Sequence, residues 1–108
     1  MTTLPNSHPD VATLVCLTTP CVALCPHSGE PQAGSTITVR YRPGAALIEL
    51  HAVQTWLMEQ AGGSEALDLE TLAQRCARWA AACAGVPVTV IARYRLRGDL
   101  EMTVCCRS

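Results

Sequence analysis

The sequence predicts an α+β domain in which two helices lie on one face of an antiparallel sheet, and three observations carry that prediction. Residues 35–42 and 88–97 alternate apolar and polar side chains, as half-buried strands do. Residues 48–60 and 68–84, between them, switch to the three-and-four spacing of amphipathic helices. Glycine and proline fall at the joints. With one more strand at each end the order is ββααββ, and both helices can cover the single apolar face of the sheet.

Each element has its own signal. Residues 1–10 read as a flexible arm, ahead of a single domain over 11–108. Residues 11–18 (VATLVCLT) are β-branched and read as a strand. Residues 20–34 hold three prolines and two glycines, which makes them a loop with fixed turns. In 35–42, Ile37, Val39 and Tyr41 face one way, and Thr36, Thr38, Arg40 and Arg42 the other. Pro43-Gly44 ends that strand. Leu50, Val53, Trp56 and Leu57 then make the stripe of a first helix, closed by Gly62-Gly63. Ser64 or Asp68 caps a second helix, whose inner face is Leu69, Leu72, Cys76, Trp79, Ala80 and Cys83. Gly85 and Pro87 stop it. Val88, Val90, Ala92, Tyr94 and Leu96 point inward from the next strand. Gly98-Asp99 reads as a two-residue hairpin turn, and Leu100, Met102, Val104 and Cys106 point inward on the return.

Composition narrows the function. At 108 residues, 49% hydrophobic and 16% charged, the chain is not disordered. A net charge of −1 excludes a strongly basic nucleic-acid module. No window reaches the ~18 apolar residues of a membrane span. Met1–Asp10 has no basic stretch leading into an apolar run, so a cytoplasmic protein without membrane contact is expected. With no Phe and 4% aromatics the core must be aliphatic and alanine-rich, a shortage that assembly into oligomers would relieve.

The seven cysteines are an odd number without a secretory signal, which argues against a disulfide framework. Cys76 and Cys83 suit a helix core face. Cys105 and Cys106 are adjacent in a strand and point to opposite faces. Cys21, Cys25 and His27 do not have the spacing of a zinc site, and no metal is expected.

The stretch LCPHSGEPQ, residues 24–32, carries the most chemistry. Cys25 precedes Pro26 in a loop stiffened by prolines and a glycine, and His27 stands two residues on. A reactive thiol needs a fixed, partly exposed position with a group nearby that favours the thiolate. Cys-Pro-x-[Ser/Thr]-Gly-x-Pro followed by an alternating strand resembles the QueF family of nitrile oxidoreductases. The resemblance continues through Tyr41-Arg42-Pro43, through Glu49-Leu50-His51-Ala52-Val53-Gln54-Thr55-Trp56, and to Arg97-Gly98. It covers most of the chain, from Cys25 to Val104.

That resemblance implies the tunnelling fold (T-fold), whose protomer is ββααββ, and a homo-oligomer with sites between protomers. It implies action on 7-cyano-7-deazaguanine or a related 7-deazapurine, with Cys25 attacking the nitrile carbon to form a thioimide. NADPH would then reduce the thioimide. His27 and Gln32 join Cys25 as catalytic candidates, Glu70 and Glu49 are substrate-binding candidates, and His51, Gln54 and Trp56 occupy the cofactor motif. Four positions depart from the family pattern. Gln32 stands where the family has a proton-donating Asp, and an amide cannot cycle a proton. His51 and Gln54 replace two lysines that would hold the NADPH phosphates. Leu69 falls where the base-anchoring Glu belongs, unless a one-residue slip brings in Glu70. One branch of the family resolves the thioimide with ammonia instead of hydride, giving an amidine on tRNA.

Arg40, Arg42, Arg93, Arg95 and Arg97 alternate along strands and can share a sheet face suited to phosphate or an RNA backbone. The alternative to an enzyme is a non-catalytic T-fold protein that binds a purine-like ligand or serves in assembly.

Overall fold

The computed structural model describes residues 2–21, 30–61 and 68–108. Its main sheet is antiparallel throughout, formed by β2 (Val15–Pro20), β3 (Thr36–Tyr41), β5 (Val88–Leu96) and β6 (Leu100–Arg107), in the order β2-β3-β5-β6. The helices α1 (Ala52–Ala61) and α2 (Leu69–Ala84) intervene between β3 and β5. A second small sheet pairs β1 (Thr3–Pro5) with β4 (Ala46–Ile48).

Side-chain alternation decides which face is covered. Ile37, Val39, Val88, Val90, Ala92 and Tyr94 are all but inaccessible and pack with Leu72, Ala73, Cys76 and Ala80 of α2. Small residues dominate that helix face, which lets α2 lie close to the sheet. Asp68 caps α2: its Oδ1 accepts the Thr71 N–H at 2.6 Å, which holds the carboxyl below its usual range. Gly85 ends the helix at φ 70°, donating its N–H to the Ala81 carbonyl at 2.8 Å.

Four sequence expectations shift. The first strand begins at Val15 and not at residue 11, and Val11 and Leu14 are exposed. Pairing with β3, from Val15↔Tyr41 to Pro20↔Thr36, sets those limits. Pro20 is tolerated because β2 is an edge strand. Within the stretch read as an arm, Thr3–Pro5 forms β1, and Glu49 N–H donates to the Thr2 carbonyl at 2.9 Å. The first helix starts at Ala52: Ile48 belongs to β4, where its N–H donates to the buried Tyr41 hydroxyl at 2.8 Å, and Leu50 is 65% exposed. The last hairpin uses three residues, Arg97–Asp99, between paired Leu96 and Leu100. Both Gly98 and Asp99 have positive φ, and Leu100 faces out.

No helix among the described residues is long and apolar enough to cross a membrane.

Candidate functional site

The connection from β2 to β3 is tied down at both ends. Cys21 N–H donates to the Ser35 carbonyl at 3.0 Å, and Gln32 N–H donates to the Arg95 carbonyl at 2.8 Å. Pro31 is fully buried. Ser35 is 1% exposed, and its Oγ accepts the Arg95 N–H at 2.8 Å. The turn at 32–35 is thus clamped to β5 from two sides. Gly34, at φ 94°, belongs there: a Cβ would come within 2.9 Å of Arg95 Cδ. Cys25 and His27 lie outside the described residues.

Gln32 is exposed. With Ala33, Arg95, Leu96, Asp99 and Glu101 it lines a cleft of about 220 Å³. Arg95 reaches Glu101 at 3.7 Å, and Arg97 Nε donates to Glu30 Oε1 at 3.1 Å. These exposed pairs add little stability; they place a carboxylate beside each of two guanidinium groups at this corner. Glu70 is exposed in the first turn of α2. Its neighbour Leu69 accepts a hydrogen bond from the Tyr94 hydroxyl at 2.9 Å. Gln32 and Glu70 therefore both sit at the Tyr94–Arg95 end of β5.

The start of α1 is a separate group. Glu49 Oε2 accepts the His51 N–H at 2.9 Å, and His51 Nδ1 lies 3.4 Å from Gln54 Oε1. Trp56 stacks on Trp79, with centroids 5.5 Å apart and planes 20° from parallel. The small cleft beside the pair is lined by Thr2, Glu49, Thr55, Trp56, Glu59 and Trp79. Two carboxylates and no cation line it. These residues do not fit the phosphates of NADPH, which need fixed positive charge. Among the described residues no hydrogen bond or cleft joins this group to the Gln32 corner.

Burial sorts the thiols. Desolvation pushes Cys76 up to about 12, with Cys21 and Cys106 adding to the shift, and it pushes Cys21 up to about 11. Both stay protonated at neutral pH, so neither is a nucleophile. Cys16 and Cys105 are exposed on the two edge strands. No group of three His, Cys, Asp or Glu side chains suited to a metal occurs among the described residues.

Sequence reasoning missed two residues here. Ser35 clamps the turn, and its only signal was a small polar residue between Gly34 and an alternating strand. Arg107 lies across from Thr89 in the β5–β6 register, on the same face as Arg40. Alternation from Cys105 could have placed it there.

Two tied ends of a β2–β3 connection, two helices on one sheet face and four antiparallel strands define a T-fold of the α+β class. The fold is similar to that of the archaeosine synthase QueF-Like, in a crystal structure of the apo form. The TM-score is 0.71 at 22% identity, covering 88% of this chain and 92% of that one. No protein-family model and no curated protein matches the sequence. The chain thus has a QueF-like fold.

Proposed function

We propose that this protein is a QueF-like enzyme of 7-deazapurine chemistry, in which Cys25 attacks the nitrile of 7-cyano-7-deazaguanine or a related base. The observation that supports it is the position of the Cys25-Pro26 motif, in the β2–β3 connection of a QueF-like fold. The burial of Cys21 and Cys76 as neutral thiols is consistent with a nucleophile in that connection.

The thiolate forms a C–S bond to the nitrile carbon, and the nitrile nitrogen takes a proton, giving a thioimide. Ammonia then adds to the same carbon, the C–S bond breaks, and the thiolate is restored with an amidine as product. Water in place of ammonia gives an amide. No electrons are exchanged in either route. We favour these routes over reduction by NADPH because of the carboxylates at the start of α1. In this reading His27 favours the thiolate, Glu70 holds the base, and Gln32 orients the substrate without cycling a proton, while Glu49, apart from that corner within one protomer, is left without a role in it. Copies of the chain assemble to complete each site.

The test is product analysis after incubation with 7-cyano-7-deazaguanine and an ammonium salt, with and without NADPH. Cys25-dependent amidine or amide, formed equally without NADPH, is the expected result. An aminomethyl product formed only with NADPH would overturn the non-reductive route. Gln32 favours a second reading, a T-fold binding or assembly protein that has lost catalysis. In that case Cys25 would alkylate no faster at neutral pH than an ordinary exposed thiol such as Cys16.

A further inference from the structure

The helix-free face of the sheet has a second concave region at its other end. A cleft of about 510 Å³ is lined by Leu14, Arg40, Arg42, Thr89 and Arg107, with Tyr41 and Pro87. Sheet register explains its charge. Arg40 pairs with Thr89, and Thr89 pairs with Arg107, so the three form one row across β3, β5 and β6. Side chains in one row rise from the same face. Arg40 and Arg107 are two strands apart, or roughly 10 Å at the usual strand spacing, with the Thr89 hydroxyl between them. Arg42 follows Arg40 by two residues, roughly 7 Å along the chain.

None of the three arginines meets a carboxylate within 4 Å among the described residues, and no acid lines the cleft. That contrasts with Arg95 and Arg97, which both have acidic partners. The chain carries nine acidic residues and a net charge of −1, so partners were not scarce overall. All eight of its cationic side chains are arginines and none is lysine. Arginine offers a planar fork that matches two oxygens of one phosphate. Three unpaired guanidinium groups around one cleft repel each other until an anion enters.

We infer that this cleft is a binding site for a phosphate group, held by Arg40, Arg42 and Arg107 with the Thr89 hydroxyl as an additional donor. It is distinct from the Gln32 corner and does not depend on the chemistry proposed for Cys25. The phosphate can belong to a small molecule or to a nucleic-acid backbone.

Titration calorimetry with inorganic pyrophosphate tests it, using the whole chain at low salt. The expected result is saturable binding that weakens as salt rises. The double variant Arg40→Gln/Arg107→Gln is expected to weaken it about tenfold or more, while Arg78→Gln on α2 leaves it unchanged. Arg107→Lys, which keeps the charge and loses the fork, should fall between. All these positions are exposed, and an unchanged urea midpoint shows that each variant folds. A short single-stranded RNA run beside pyrophosphate identifies the source. Tighter RNA binding, lost in the same double variant, assigns a phosphodiester backbone; tighter pyrophosphate binding assigns a small molecule. Absence of saturable pyrophosphate binding, or binding that the double variant leaves intact, overturns the inference.

Discussion

Arg95 and Arg97 at one end of the open sheet face, and Arg40, Arg42 and Arg107 at the other, are the same residue in opposite circumstances. The first two are paired with Glu101 and Glu30, beside a turn clamped by Ser35. The other three have no acidic partner among the described residues; Arg93, between the two groups on β5, has none either, but it lines a different cleft, one that Glu101 shares. Behind both ends the covered face of β3 and β5 is inaccessible and apolar. The difference separates three kinds of work along one sheet. The covered face supplies stability, the paired end holds a frame, and the unpaired end is left for a ligand.

Substitutions that should spare one region and damage another sharpen this division. The largest effect belongs to the covered face. Leu72 is fully buried between α2 and the sheet, and Leu72→Ala should cost about 2–5 kcal/mol in urea unfolding. Arg40→Gln on the open face should stay within about 0.5 kcal/mol. Equal costs would mean that the two faces are not divided in this way.

Alkali is the next probe. A thiol raised by burial stabilises the fold below the ordinary thiol range, near 9, and that contribution is lost as pH rises through the folded value. For Cys76 the window runs from 9 to about 12, and for Cys21 from 9 to about 11. Cys76 alone should account for about 2 kcal/mol of lost stability by roughly pH 10.5. A Cys76→Ala variant, whatever its starting stability, should lose less between neutral and alkaline pH. A parallel decline in both proteins would show that Cys76 is not shifted.

Tyr94→Phe removes the hydroxyl that reaches the Leu69 carbonyl and should cost about 1 kcal/mol. The smallest effect is at the frame. Arg97→Ala breaks an exposed pair with Glu30 and should change the unfolding free energy by no more than about 0.5 kcal/mol. A loss several times larger would make that pair a principal support of the corner.

The long elements were legible in the sequence because periodicity survives burial. Strand β3 alternates throughout, β5 does so with Ile91 as its one exception, and α2 shows both its cap and its stop. The pairing of β1 with β4 was not legible, since three residues carry no period and their partners lie some forty positions away. The start of β2 was misplaced for a related reason: β-branched residues run through 11–18, but the length of β3 decides where pairing begins. Of the site, the Cys25 motif was legible as a resemblance. Alternation put the arginines on one face, yet which of them have acidic partners depends on register and on Glu30 across the fold. No local pattern encodes that. Ser35 was invisible because its role comes from a strand sixty residues on.

The claim that matters most is the nucleophile. Intact mass spectrometry after mixing the protein with 7-cyano-7-deazaguanine, beside Cys25→Ala, tests it in one step. The expected result is a gain of the whole ligand mass in the unaltered protein and none in the variant. An equal gain in both, or in neither, would contradict it.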